Sequence, residues 1–283
     1  MRRGLVVVCT VAVAACGLSV RGEMDPSAPD AAPASGDSGE GGPTAADAGD
    51  DRRADGDAAP PDRGRVTSGL VALYEFEENG GTVARDTSGV SPALELALSP
   101  SGVSWVKGAL RFQATGLAAS AVAATKIRAR CQASNELTIE AWARYGALPD
   151  WSRIVANAAT NGLGNFAMTS DPSTVGFDLR TSTSLYERST QTAYPQAVTG
   201  RLVHLVETRS ASGDKRVYLD GTMLFQAMQG GDFSTWDPTY LLAVGNTPAF
   251  DRPWYDDVHL VAIYDRALTA AEVAQNHAVG ADP

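Results

Sequence analysis

Five aromatic residues lie in loop-like surroundings beside Asp and Arg, and theirs is the first chemistry this sequence offers. Trp151 follows Leu148-Pro149-Asp150. Trp236 sits in Phe233-Ser234-Thr235-Trp236-Asp237-Pro238, Trp254 follows Phe250-Asp251-Arg252-Pro253, and Tyr186 and Tyr194 flank the polar stretch 187–192. A sugar presents apolar C–H faces that stack on such rings, and hydroxyls that bond Asp, Asn and Arg. Loops on a rigid scaffold are where recognition collects. Trp151, Tyr186, Tyr194, Trp236 and Trp254 are therefore the expected carbohydrate-binding residues. Reactive chemistry leaves no comparable pattern. The sequence holds no His-Glu-x-x-His, no Cys-x-x-Cys, no phosphate-cradling loop ending in Lys-Ser or Lys-Thr, and no Gly-x-Ser-x-Gly elbow. Its three histidines carry no metal-ligand spacing. Binding without catalysis is the expectation.

The elements that must position these loops read as strands. Pro, Gly, Asn and Asp clusters cut residues 66–283 into short pieces at 70–76, 109–112, 136–144, 153–157, 165–169, 174–179, 201–208, 215–219, 222–226, 241–245 and 258–264. Leu137, Ile139, Ala141 and Ala143 alternate with Thr138, Glu140, Trp142 and Arg144. That period of two marks a strand, and it sets Glu140, Trp142 and Arg144 on one face. Near the end, Val258, Leu260, Ala262 and Tyr264 alternate with His259, Val261, Ile263 and Asp265. Thr269 and Glu272 then have the spacing of a capping box, which opens one short terminal helix. Many short strands closed by one helix predict an all-β domain of two packed antiparallel sheets. Cys131 is left without a partner for a disulfide, so it is expected to tuck against a strand and the core must hold the domain.

Upstream of the domain the composition changes twice. Arg2 and Arg3 precede an apolar run over residues 5–15, the length of a signal-peptide core and too short for a permanent membrane span. It ends in Val13-Ala14-Ala15-Cys16, which resembles the lipobox of bacterial lipoproteins. That resemblance implies cleavage of residues 1–15, lipidation of Cys16 and, with Gly17 next, an exported protein held at the outer membrane or cell surface. Residues 17–65 hold eleven Asp or Glu against five Arg, with almost nothing to bury. Segment 16–65 is thus an expected disordered acidic tether, with a reach of roughly 40 Å. The whole chain carries a net charge of −10, which argues against nucleic acid as a partner.

Residues 68–278 resemble, in order, the laminin-G-like domains of the concanavalin A-like lectin/glucanase superfamily. The resemblance is carried by 69–78, by Asp86-Thr87-Ser88-Gly89, by Leu137-Thr138-Ile139-Glu140-Ala141-Trp142, by 203–208, by Val217-Tyr218-Leu219-Asp220-Gly221, by 242–245 and by 257–272. It implies a jelly-roll β-sandwich and a carbohydrate ligand, either polysaccharide or glycoprotein. It also implies a structural calcium ion, for which Asp86 and Asp257 stand at the motif positions. The catalytic carboxylates of the glucanase branch are not reproduced. Glu136 and Glu140 stand four residues apart, with Thr138 between them. The functions left are a lectin-like module, a protein-interaction or adhesion module without a sugar site and, last, a polysaccharide-cleaving enzyme.

Overall fold

The computed structural model describes residues 64–281, apart from 147–150, 172, 187 and 195–197. The signal segment, Cys16 and all of the tether but Gly64 and Arg65 lie outside the described residues. In chain order the strands are β1 (Leu70–Tyr74), β2 (Val83–Ala84), β3 (Leu96–Leu98), β4 (Val103–Val106), β5 (Ala109–Phe112), β6 (Ala118–Ser120), β7 (Leu137–Arg144), β8 (Ser152–Thr160), β9 (Leu163–Ser170), β10 (Thr174–Leu179), β11 (Arg188–Ala193), β12 (Leu202–Arg209), β13 (Asp214–Leu219), β14 (Thr222–Met228), β15 (Leu241–Val244) and β16 (Asp256–Tyr264). They form two eight-stranded antiparallel sheets. One runs β14-β13-β12-β7-β16-β5-β4, with β1 also paired to β16. The other runs β11-β10-β9-β8-β15-β6-β3-β2.

The expected alternation builds the core. Leu137, Ile139, Ala141 and Ala143 of β7 point between the sheets, with Val203 and Leu205 of β12, and meet Phe166, Met168, Val175, Phe177, Leu242 and Val244 from the facing sheet. β7 is nevertheless buried on both faces, because a second apolar layer covers its outer side. That layer joins Trp142, Val206, Tyr218, Leu260, Ala262 and Tyr264 to Leu268 and Val273. Val273 belongs to helix α2 (Ala270–Val279), which opens as expected: the Thr269 hydroxyl accepts from the Glu272 amide, and the Glu272 carboxylate accepts from the Thr269 amide.

Strands β2, β3, β4, β6 and β11 fall outside the pieces that the sequence marks, and two further details depart from that reading. The alternation in β16 breaks at His259, where a bulge shifts the register between Val258 and Leu260. Val258 therefore joins the inter-sheet core, whereas Leu260, Ala262 and Tyr264 face outward. One extra residue reverses the face of everything beyond it. A second helix, α1 (Thr125–Ser134), also comes earlier in the chain. It has no side-chain N-cap and buries little beyond Ile127, Cys131 and the stem of Lys126, so it carried too few apolar positions to announce itself. Cys131 sits on this helix and is buried against β16, with its thiol 3.9 Å from the Tyr264 carbonyl oxygen. Burial pushes that thiol's pKa upward, which leaves it unreactive.

Candidate functional site

Most of the expected aromatic platform is core. Trp254 is fully buried, with its ring edge-on to Tyr145 at 4.9 Å. Trp236 is 2% exposed, stacks on Phe233 at 4.3 Å, and donates its indole N–H to the Arg180 carbonyl. Tyr186 lies over Gly164 and Ala158, so closely that a Cβ on Gly164 would stand 2.6 Å from its ring. Tyr194 is half-buried and shares hydroxyl hydrogen bonds with Tyr145 and Ser170. Trp151, just before β8, is likewise half-buried. These positions correct the expectation of a five-ring sugar platform. A large ring in a loop gains most by covering an open end of the sandwich, so loop aromatics here were drawn inward.

The two calcium candidates are likewise engaged by the chain's own donors. The Asp86 carboxylate accepts from the amides of Leu73, Ser88 and Leu94 and pairs with Lys126 of α1. Burial would raise its pKa, but Lys126 and these donors outweigh it and hold the group below the usual carboxylate range. Asp257 accepts a two-pronged pair from Arg111, at 2.7 and 2.9 Å. A hard cation wants several oxygens converging on one point. Here N–H groups converge instead, and no cluster of three His, Cys, Asp or Glu side chains occurs among the described residues. Asp86 and Asp257, bonded in this way, do not present the converging oxygens that calcium takes.

Glu140 has the environment of a structural carboxylate. It is fully buried on the outer face of β7 and receives His204 Nε2 at 3.0 Å, Asn276 Nδ2 at 2.6 Å, the Tyr264 hydroxyl at 3.2 Å and the Arg65 guanidinium. Burial alone would raise its pKa. The hydrogen bond from His204 and the charge of Arg65 bring it below the ordinary value. Trp142, His204 and His277 of α2 stack beside it, with ring centroids 4.8 to 5.6 Å apart. Glu136 is bonded elsewhere, accepting the amides of Ala211 and Ala267. No pair of carboxylates is therefore poised across an open groove at this strand.

Beyond the reach of α2, the same outer face opens. A cleft of about 430 Å³ is lined by Arg111 and Phe112 of β5, Arg144 of β7, Gly146, Tyr255 and Asp256. Register places these groups together: Asp257 pairs with Arg111, and its neighbour Val258 pairs with Ala143 beside Arg144. Arg111 and Arg144 are 48% and 39% exposed, whereas the Asp257 side chain between them is only 7% exposed. The hydrogen bonds and charge of Asp257 hold the Arg111 guanidinium even more firmly protonated than usual. Arg144 stands with Nε 3.9 Å from Asp257 and donates Nη1 to the Gly200 carbonyl. Asp256 has φ of 112°, a conformation that a non-glycine residue adopts only under constraint. Gly146 is required opposite it, since a Cβ there would sit 2.7 Å from the Tyr255 carbonyl oxygen. Sequence reasoning had picked out Asp257 and Arg144 but missed Arg111. Its only local signal was a polar residue alternating with Leu110 and Phe112.

The comparisons bear on this architecture. A family model described as the concanavalin A-like lectin/glucanases superfamily, of laminin G type, matches residues 118–274, more than half of the chain. The chain belongs to this superfamily. No curated protein matches the sequence. Solved structures similar to this superfamily member include a Trypanosoma rangeli sialidase in complex with sialic acid. The TM-score is 0.55 and the identity 19%, over 75% of this chain and 33% of that one. Two toxin binding domains align over 75% of this chain and 52% of theirs. They are those of botulinum neurotoxin serotype D/C, at TM-score 0.54 and 10% identity, and of Paraclostridial Mosquitocidal Protein 1, at 0.55 and 15%. The chain thus spans a third of the sialidase and about half of each toxin domain. At these identities the likeness is one of fold.

Proposed function

We propose that this protein is a surface-displayed lectin-like module that binds polysaccharide or glycoprotein without cleaving it, through the cleft at the open end of the outer face. The observation that carries this reading is the Arg111–Asp257–Arg144 cluster, half-exposed beside Tyr255 and Asp256. Fixed guanidinium donors, a carboxylate acceptor and an aromatic wall are the groups that hold sugar hydroxyls and C–H faces. Fully bonded Glu140 under α2 supports the non-catalytic part of the reading. Cys16 serves as the lipidated residue that holds the module at the envelope, and the acidic segment after it serves as the spacer. The purified full chain on a glycan array is expected to bind a defined saccharide class, and the Arg111→Ala/Arg144→Ala double variant to lose that signal. A blank array with folded protein would remove this reading.

A protein-interaction role is favoured by a different observation. β14 is an edge strand with Met223 48% and Met228 69% exposed. A bare edge and exposed methionines suit an extended partner segment. Envelope proteins that co-purify with the double variant, alongside a blank array, would point to this role.

A further inference from the structure

We infer that the ligand of the cleft carries a carboxylate, so that its saccharide belongs to the acidic, hexuronate-like class. This rests on the proposal that the cleft binds carbohydrate and goes one step into its chemistry. Arg111 spends Nε and one Nη2 hydrogen on Asp257. Arg144 spends Nη1 on the Gly200 carbonyl. Among the described residues, Arg111 Nη1 and Arg144 Nη2 have no protein acceptor, and both belong to side chains that line the cleft. The buried Asp257 carboxylate fixes the Arg111 guanidinium, the Gly200 carbonyl holds Arg144 beside it, and their remaining donors are left for a ligand.

Neutral hydroxyls satisfy such donors only in part. A carboxylate matches the planar fork with two parallel hydrogen bonds and a compensating charge. Asp257 cancels one of the two positive charges. Asp256 adds a second negative charge at the rim, but one of its oxygens already accepts the Asp257 amide. Its other oxygen suits a ligand hydroxyl, so the cleft asks for a molecule bearing both carboxylate and hydroxyls. The domain as a whole is acidic, with sixteen basic against twenty-two acidic residues over 66–283. Asp256 and Asp257 balance the two arginines, so the preference for a carboxylate rests on the free edges of the guanidinium forks and not on a basic surface.

The test uses a matched pair of probes: an oligosaccharide ending in glucuronic acid, and the same molecule with its carboxyl reduced to the alcohol. Titration calorimetry on the full chain is expected to show the acidic probe binding about tenfold tighter or more, with the advantage shrinking as salt is added. Arg144→Gln is expected to bring the acidic probe down to the affinity of the reduced one. Arg144→Lys, which keeps the charge without the fork, is expected to fall between them and serves as a second folded variant. Equal affinity for both probes overturns this inference and leaves the carbohydrate reading standing. Binding of neither probe, to folded protein, overturns both. A preference for the acid that survives both substitutions overturns the assignment to this cleft.

Discussion

Glu207 carries the clearest energetic oddity at the scale of single residues. Its neighbours in register are Ile139 and Val217, both in the inter-sheet core, so its carboxyl points between the sheets. It is fully buried, and neither oxygen has a hydrogen-bond partner among the described residues. Burial lifts its pKa well above the ordinary carboxylate value, against the pull of nearby Lys215. The folded state therefore holds a proton that the unfolded chain releases. Below about pH 4.5 both states are protonated and nothing is lost. As pH rises from there toward the raised folded value, stability falls by up to about 1.4 kcal/mol per unit crossed. Glu207→Gln cannot ionise. Its stability relative to the parent is expected to climb as pH rises above the ordinary carboxylate range, read from urea midpoints at constant m. A difference that stays flat with pH would show that the carboxyl is ionised in the fold.

At the scale of elements, α2 decides what the outer face can be. Its Asn276 bonds Glu140 and accepts the Val66 amide, while Arg65 reaches both Glu140 and the Gly280 carbonyl. Strand, helix and the entering chain are thus tied at one buried carboxylate. Removing one member of such a network strands the others without partners in a medium that cannot solvate them. Glu140→Ala is expected to cost about 3–5 kcal/mol of stability in denaturant unfolding. A catalytic glutamate would instead be dispensable for folding, so an unchanged midpoint would contradict the structural role. The cleft owes its openness to the same helix. α2 covers the half of the sheet holding Trp142, Val206 and Tyr264, and leaves the ends of β5, β7 and β16 to solvent.

For the whole molecule, the sandwich supplies rigidity, and location is the part of the proposal that falls to the N-terminal segment. No helix among the described residues is long and apolar enough to cross a membrane. The proposed attachment is lipid on Cys16, where each buried methylene contributes about 0.8 kcal/mol and two or three chains together hold firmly. Expression in a bacterial host with an alkyne-tagged palmitate is expected to label the protein in the membrane fraction. Cys16→Ala is expected to abolish the label and release the protein from that fraction. A soluble, unlabelled parent would exclude the anchor. The net charge of −10 disfavours approach to anionic lipid, so the proposed anchoring would rest on the acyl chains.

The layered fold, the β7 alternation and the capping box at Thr269 were all legible in the sequence, because each depends on residues a few positions apart. Period two and a Thr-x-x-Glu spacing keep their meaning wherever the segment ends up. Helix α1 escaped because its buried face is barely two residues wide. The candidate site escaped for a different reason. Trp254, Trp236 and Tyr186 looked like surface rings only until the ends of the sandwich drew them in. Asp86 and Asp257 looked like cation ligands only until Lys126 and Arg111 arrived from elements 40 and 146 positions away. Sequence alone marked most of the strands, though not β2, β3, β4, β6 or β11, and showed how the last helix starts. The tertiary structure alone decided which side chains meet, because strand register and one bulge at His259 set the face and the neighbours of every polar group on the sheet.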